Sequence, residues 1–315
     1  MDYTRISNLA TLNPSSVDSR AASPGKPVAK PLHQNRASLG AYEWLTLGYL
    51  LLLNTLLVIF HRNVSHPWRF VALHTGIALA VVALCRAAQR YSSRALRFAR
   101  HWYPFALFIF FFEELHYLSK LIHPQWFDSW LLAFEYWLFG VYPTIWLEQF
   151  ASPLLNDAMA FAYMTYYFYT VVLAGVLYAR GRMMEFRATM LGTAIAYCAG
   201  YLIALAWPME GPYHTLRHWQ QVTELQGYIF TAVMNLVQGV GRVHGAAFPS
   251  LHVAGATVAV LAAWRYSRHL FWIFLPFYVA MLVATVYGRY HYFVDLPAGF
   301  AIGVIGFAIA RRMER

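Results

Sequence analysis

The chain has 315 residues, of which 59% are hydrophobic, 18% are aromatic and only 12% are charged. Because soluble domains carry roughly a quarter charged residues, this composition excludes an ordinary soluble protein and indicates an integral membrane protein. The net charge of +10 raises the question of a nucleic-acid partner, which the distribution of the charges answers.

Residues 1–40 are rich in Pro, Ser and basic residues and have no apolar period, so we predict a disordered tail. Eight apolar runs follow, each close to the roughly 20 residues that a helix needs to cross a bilayer. These runs cover 42–60, 70–89, 103–122, 156–179, 188–207, 249–266, 270–288 and 293–310. The sequence therefore predicts an all-α, polytopic transmembrane helical bundle.

The chain divides further at its third apolar run. We group 41–100 as two additional transmembrane helices and 101–315 as a six-helix core. Within the core, 126–150 is aromatic but is interrupted by acidic residues, a glycine and a proline, which predicts an interfacial or re-entrant helix. The stretch 208–245 joins two spans and is interpreted as a long loop.

Basic residues are distributed unevenly between the two sides of this topology. If the tail is cytoplasmic and the eight helices alternate in direction, 18 of the 24 Lys and Arg residues lie on the cytoplasmic side. This asymmetry follows the positive-inside rule, so the charge reports membrane topology. The tail is therefore predicted to be cytoplasmic, and nucleic acid is not an expected partner.

The run 103–122 carries polar side chains in its second half. Glu113, Glu114 and His116 are predicted to line a substrate cavity, because intramembrane acids usually face the interior of a bundle. The alternative is that the span ends early and these residues lie at the outer interface. Glu113 and His116 have the spacing of carboxylate-bridged metal helices, but no second Glu-x-x-His occurs, so no metal is expected.

Two histidine-bearing motifs lie in the last third of the chain. "FPSLH" at 248–252 opens the sixth predicted span, and "HYFVD" at 291–295 joins the seventh to the eighth. Because two spans separate the motifs, both fall on the same face, which the charge distribution makes extracytoplasmic. A site assembled from His252, His291 and the 208–245 loop is therefore geometrically possible.

Each motif has its own chemistry. His291 and Asp295 are four residues apart, which on a helix lets the carboxylate accept the imidazole N–H and makes the other ring nitrogen a better nucleophile. The alternative is an interfacial pair that merely satisfies both groups. In "FPSLH", Ser250 and the free N–H groups of the helix start form a candidate anion site, or an ordinary cap. His252 could then give a proton to a leaving oxygen.

The two motifs, with their histidines 39 residues apart, resemble the second and third signatures of the type 2 phosphatidic acid phosphatase superfamily. "FGVYPTIWLEQF" at 139–150 adds a similarity to the inositol phosphorylceramide synthase branch. The resemblance implies a six-helix core and metal-independent phosphoryl transfer, with no cofactor expected. It also implies that His291 attacks phosphorus to form a phosphohistidine, that Asp295 orients His291, and that His252 protonates the leaving group.

The phosphate-binding cations of the superfamily are only partly matched. Its third signature carries an Arg six residues before the histidine, where this chain has Thr285, and Arg289 stands two before instead. Arg289 can serve the phosphate only if the chain turns at 288–291, which Gly288 permits. The first signature is not found. In its place we expect phosphate ligands among Arg217, Arg242 and His244. The alternative is that these three are solvated loop residues.

The sequence thus predicts a membrane enzyme whose partner is a lipid bearing a phosphate. Transfer of a phosphorylated headgroup between lipids is favoured over hydrolysis of a lipid or polyprenyl phosphate, and a non-catalytic transporter or scaffold is a further alternative. The two cysteines, Cys85 and Cys198, lie in apolar spans, which leaves neither a disulfide framework nor a thiolate metal site. Short loops suit a bacterial inner membrane, although "NVS" at 63–65 is a formal glycosylation triplet. The sequence does not identify the oligomeric state.

Overall fold

The computed structural model describes residues 39–222, 224–241 and 243–313, and most of the predicted tail lies outside these ranges. The described part is all-α and has no strand, which confirms the predicted fold class. The helices in chain order are α1 (Ala41–Ile59), α2 (Pro67–Arg90), α3 (Arg94–Leu118), α4 (Asp128–Phe139), α5 (Pro143–Trp146), α6 (Pro153–Met164), α7 (Tyr166–Ala179), α8 (Met183–Ala206), α9 (Pro212–Thr215), α10 (Ile229–Gly241), α11 (Leu251–Tyr266), α12 (Arg268–Tyr287) and α13 (Asp295–Met313).

Six helical stretches of the described residues are long and apolar enough to cross a membrane. They are α1, α2, the α6–α7 pair, α8, α12 and α13. The α6–α7 pair forms one stretch that is interrupted at Thr165. The other two predicted spans are also helical, but α11 has only 16 residues and α3 carries charged residues near both ends. By length and composition, six of the eight predicted spans are therefore confirmed as able to cross a membrane.

Helix α8 lies at the centre of the bundle and packs against α3, α11 and α13. Small residues allow α13 to approach its neighbours closely, as in other membrane bundles. A Cβ at Gly299 would stand 2.3 Å from the carbonyl oxygen of Ser250, and one at Gly303 would stand 2.6 Å from that of Ala254. This backbone contact brings the start of α13, where "HYFVD" ends, beside the start of α11, where "FPSLH" lies.

The bundle has a basic end and a histidine-bearing end. At the basic end, Arg100 at the start of α3 pairs with Glu43 at the start of α1, with Nε and Oε1 2.8 Å apart. Arg182 donates to the carbonyl oxygen of Tyr266 at 2.6 Å, which ties the start of α8 to the end of α11. The starts of α11 and α13 lie at the opposite end of these helices. The two histidine motifs therefore share one end of the bundle.

The stretch 208–245 is more ordered than a loop. It contains α9 and the apolar helix α10, which packs against α6. Met234 of α10 is buried, whereas Ile229 and Leu236 are exposed. The interpretation as a loop is wrong for 229–241, because an apolar helix of 13 residues is too short to give the signal of a membrane span.

The segment 126–150 contains α4, α5 and a short 3₁₀ helix at Leu147–Phe150. Helix α4 has two unlike faces. Trp130 and Trp137 are 78% and 76% exposed, while Asp128 and Glu135 are buried. The aromatic face suits the interfacial region of a bilayer, which stays a prediction, and the acidic face is turned toward the protein.

Candidate active site

The start of α11 meets the turn that precedes α13. The backbone N–H of Ser250 donates to the carbonyl oxygen of Asp295 at 3.2 Å, which joins the two segments. His252 lies on the first turn of α11, and His291 lies in the turn before α13. Nδ1 of His252 and Nε2 of His291 are 2.9 Å apart. The structure thus brings the two histidines named from the sequence into direct contact.

The hydrogen bonds around these rings fix their tautomers. Nδ1 of His291 contacts the carbonyl oxygen of Ala247 at 2.5 Å and Oδ2 of Asp295 at 3.3 Å. A carbonyl oxygen can only accept, so Nδ1 carries the hydrogen and the lone pair of a neutral His291 lies on Nε2. Nδ1–H of His252 then donates to that lone pair, and Nε2 of His252 accepts from the Tyr163 hydroxyl at 2.9 Å. The lone pair of His291 and the proton of His252 therefore face each other.

Asp295 is fully buried at the first position of α13. Its Oδ2 also accepts the backbone N–H of Tyr292 at 2.8 Å. His291 and Asp295 do not share a helix, because His291 precedes α13 and belongs to the turn. The carboxylate still reaches the imidazole, since the turn folds the two side chains toward each other.

The turn at 288–294 ends α12 and reverses the chain. The carbonyl oxygen of Thr285 accepts the N–H groups of Tyr290 and His291 at 3.1 and 3.3 Å. Arg289 has a positive φ of 63°, whereas Gly288 has a φ of −75°. The turn expected at 288–291 is present, but the left-handed residue is the arginine. Gly288 provides space instead, because a Cβ there would stand 2.3 Å from the ring of Tyr290.

Arg289 is buried and paired. Its Nη2 lies 2.8 Å from Oε1 of Glu148, and its Nη1 donates to Oε1 of Gln220 at 3.0 Å. A third contact joins Nη2 to the carbonyl oxygen of Val222. Burial lowers the pKa of Arg289, and the neighbouring Glu148 opposes that shift. Part of the arginine's charge is thus neutralised by Glu148, which lies in the quoted stretch at 139–150 but was not named there as a site residue.

Both histidines border a cavity of about 80 Å³ at this end of the bundle. A larger cavity of about 410 Å³ lies between α6, α10 and α12. The two cavities share four lining residues: Tyr213, Gln238, Arg289 and Tyr290. The site therefore offers a small space beside the reactive nitrogens and a larger, partly polar space next to it.

The other candidate phosphate ligands are placed less centrally. Ser250 is the N-cap of α11, where its hydroxyl accepts the N–H of Val253 at 3.4 Å, and it is buried. Arg217 is exposed in a short 3₁₀ helix at Arg217–Trp219. Arg242 lies outside the described residues. Thr285, which occupies the position of the superfamily's arginine, is buried within α12.

His244 belongs to a histidine cluster beside the small cavity. Its ring centroid lies 4.2 Å from that of His214 and 6.0 Å from that of His116. Its Nδ1 lies 3.9 Å from Oε1 of Glu210. Glu210 and His214 line the small cavity that His252 and His291 border. The cluster thus stands beside the histidine pair, with His116 contributed by the end of α3.

The three polar residues of α3 point in different directions. Glu113 and His116 are exposed, whereas Glu114 is buried. Oε1 of Glu114 lies 2.6 Å from Nε2 of His74 on α2, and Nδ1 of His74 lies 2.8 Å from Oδ1 of Asn54 on α1. These three polar side chains, of which His74 and Glu114 are buried, join α1, α2 and α3. Of the α3 set, His116 comes nearest to the site, through His244.

Acidic residues of α4 contact the turn that carries His291, and the motifs did not identify them. Asp128 accepts the hydroxyl hydrogen of Tyr292 at 2.7 Å. Glu135 accepts the backbone N–H of Phe293 at 2.6 Å, and burial raises the pKa of Glu135 to about 7. A signal was present, since acids in an aromatic membrane segment are costly and often functional.

A family model described as the PAP2 superfamily matches residues 129–309, which is more than half of the chain. The match begins within α4 and ends within α13, so it includes His252, His291 and Asp295 and leaves α1, α2 and α3 outside. No curated protein and no solved structure matches the chain.

Proposed function

This chain belongs to the PAP2 superfamily, and on that premise we propose that it transfers a phosphorylated headgroup between membrane lipids through a phosphohistidine. Members of the superfamily are generally metal-independent phosphatases, and the superfamily acts on phosphorylated lipids. The observation that carries the proposal is the 2.9 Å contact between Nε2 of His291 and Nδ1 of His252 at the edge of a cavity. A nucleophile and a proton donor with opposed nitrogens are what in-line phosphoryl transfer requires.

In the first step, the phosphate of a donor lipid lies between the two rings, so their direct contact opens. Nε2 of His291 attacks phosphorus, and the bond from phosphorus to the leaving oxygen breaks. With the phosphate bound, His252 carries a hydrogen on both ring nitrogens, so Nδ1–H gives its proton to that oxygen and leaves a neutral imidazole. The His291 ring gains positive charge, which Asp295 stabilises through Nδ1–H. Tyr163 holds His252 through its other nitrogen.

In the second step, the alcohol of an acceptor lipid occupies the place of the leaving group. Nε2 of His291 is now bonded to phosphorus, and Nδ1 of His252 takes the proton of the attacking hydroxyl. The new oxygen–phosphorus bond forms as the nitrogen–phosphorus bond breaks, which regenerates both histidines. Water in place of the alcohol would give hydrolysis by the same steps.

Charge on the transferred phosphate needs a cation in the site. Arg289 is the best placed of the proposed ligands, because it borders the small cavity together with both histidines. His244 would assist from the adjacent histidine cluster when protonated. The further proposed phosphate ligands are Ser250, Arg217 and Arg242.

We place this chemistry on the extracytoplasmic side of a membrane, such as a bacterial inner membrane. The support is the distribution of basic residues, which gather at the ends of the helices opposite the histidine motifs. A cytoplasmic tail follows from the same topology. Lipid substrates would reach the site from the outer leaflet.

Hydrolysis is the second candidate, and the general phosphatase activity of the superfamily favours it. Transfer is favoured by the similarity of "FPSLH", "HYFVD" and "FGVYPTIWLEQF" to the inositol phosphorylceramide synthase branch. The larger cavity, which shares lining residues with the small cavity beside the histidine pair, also leaves room for an acceptor besides water. The acceptor decides between the two reactions.

The test uses the purified protein with phospholipids labelled on phosphorus, with and without a lipid alcohol. Transfer predicts label in a new lipid that depends on the alcohol, and an acid-labile label on the wild-type protein that His291→Gln lacks. Label in water-soluble phosphate alone, whatever alcohol is present, would replace transfer by hydrolysis. No turnover of any phospholipid or polyprenyl phosphate would overturn both reactions and leave a non-catalytic role.

A further inference from the structure

Three buried carboxylates of the segment 126–150 converge on the turn at 288–294. We propose that Asp128, Glu135 and Glu148 form an acidic clamp that positions His291 for attack. The proposal rests on the proposed function, because it assigns the clamp to the same reaction. These are positioning residues, since each acts through another residue of the turn.

Asp128 links the turn to the loop that follows α8. Its Oδ1 accepts from the hydroxyl of Tyr292 at 2.7 Å and from the N–H of Gly211 at 2.9 Å, and its Oδ2 accepts the N–H of Glu210 at 2.9 Å. Tyr292 is fully buried, and burial beside Asp128 raises the pKa of its hydroxyl, which therefore stays protonated as a donor. The backbone N–H of Tyr292 donates to Asp295. A single residue thus connects Asp128 to the carboxylate that orients His291.

Glu135 stands two helical turns farther along α4, on the same face as Asp128. Its Oε1 accepts the backbone N–H of Phe293 at 2.6 Å, and its side chain is fully buried. The ring of Phe139, one turn later, packs edge-on against that of Phe293 with centroids 4.9 Å apart. Helix α4 therefore contacts two consecutive residues that directly follow His291.

Glu148 fixes the other side of the turn. It binds Arg289 at 2.8 Å, with both side chains almost fully buried. Oε2 of Glu148 also accepts the N–H groups of Gln221 and Val222 at 2.9 and 3.3 Å. Arg289 precedes His291 by two residues, and Tyr292 and Phe293 follow it. The clamp thus holds the turn on both sides of the nucleophile.

The turn needs such external contacts because it is not part of a regular helix. Its residues lie between α12 and α13, and Arg289 is in the left-handed conformation. A buried carboxylate costs free energy that an apolar side chain would not, so three of them around one turn are unlike ordinary packing. A misplacement of about 1 Å of a reacting group can cost about 100-fold in rate. Fixing Nε2 of His291 relative to His252 is the role that this geometry supports.

The experiment compares Asp128→Asn, Glu135→Gln and Glu148→Gln with a matched control, Glu185→Gln. Glu185 also binds an arginine, Arg182, at 2.9 Å, but at the basic end of the bundle. We expect Asp128→Asn to lower kcat by about 100-fold, with KM within about threefold, because the error is in alignment and not in binding. The other two clamp variants should lower kcat by about 10-fold, and Glu185→Gln by less than about twofold.

Hydrogen exchange of the amides at 288–294 is a readout that does not depend on activity. The clamp predicts faster exchange there in the three variants than in the wild type and Glu185→Gln, with the other helices unchanged. If Asp128→Asn does not fold, Tyr292→Phe removes only the hydroxyl that Asp128 accepts and gives the same test. Wild-type exchange at the turn together with wild-type kcat in all clamp variants would overturn the proposal. A wild-type protein without turnover would overturn the proposed function, and faster exchange at the turn in the variants would then leave the clamp standing as a structural contact only.

Discussion

Two buried histidine–carboxylate pairs occur among the described residues, and they differ in what surrounds them. His74 and Glu114 join α2 to α3 with a contact of 2.6 Å. His291 and Asp295 stand at the start of α13 with a contact of 3.3 Å. The shorter contact is the one to which we assign no chemistry.

The difference lies in the second nitrogen of each imidazole. Nδ1 of His74 binds Asn54, so both of its ring nitrogens are used to join helices, and neither of the two cavities described above is lined by it. Nε2 of His291 instead faces His252 at the edge of a cavity. A histidine–carboxylate pair becomes a candidate for catalysis when the ring nitrogen that does not face the carboxylate borders a cavity and contacts a proton donor. Two predictions test this contrast, and a third concerns the clamp beside His291.

The largest expected effect is on the pair beside the cavity. Asp295→Asn should lower kcat by about 10³–10⁴-fold with little change in KM, because the amide cannot stabilise the charged imidazole. The measurement is turnover of a phosphorylated lipid together with the level of the acid-labile phospho-intermediate. A kcat within tenfold of the wild type would remove Asp295 from the mechanism.

An intermediate effect, on stability alone, is expected at the other pair. His74→Leu leaves the buried Glu114 without its imidazole partner, which should lower the free energy of unfolding by about 3 kcal/mol. Because His74 borders neither cavity, kcat should stay within about twofold at a temperature where the variant is folded. Thermal unfolding in detergent and turnover on the same sample give both values. A loss of kcat as large as that of Asp295→Asn would erase the contrast between the pairs.

The smallest expected effect concerns pH and the clamp beside His291. Burial raises the pKa of Glu135 from 4.5 to about 7, so the folded protein binds this proton more tightly than the unfolded chain. The resulting contribution to stability is fully present below pH 4.5 and is lost as the pH rises through about 7. Glu135→Gln, which removes the titrating carboxyl group, should flatten this part of the pH profile of thermal unfolding. An unchanged slope in the variant would show that Glu135 is not the group that titrates.

Much of the architecture could be predicted from sequence because its signals are local. Apolar runs of sufficient length give the helices, and the two motifs identify His252 and His291. The histidine–carboxylate spacing also led to the correct contact, although through a turn and not a helix. Helix α10 was missed because it is apolar but too short to span.

The support of the site could not be predicted in the same way. Asp128 meets Tyr292, Glu135 meets Phe293 and Glu148 meets Arg289 across 164, 158 and 141 residues of chain. No periodicity connects positions so far apart. Acidic residues interrupt the apolar pattern of 126–150, but the interruption alone does not show which element they contact.

The glycine contacts between α11 and α13 limit how this site can move. Gly299 and Gly303 set backbone against backbone, so sliding one helix along the other would bring a side-chain Cβ into the space that each glycine leaves open. The packing of these two helices therefore fixes the distance between the start of α11 and Asp295. Any separation of His252 from His291 that admits a phosphate must come from rotation of the imidazoles or from the turn at 288–294, with the two helices remaining still.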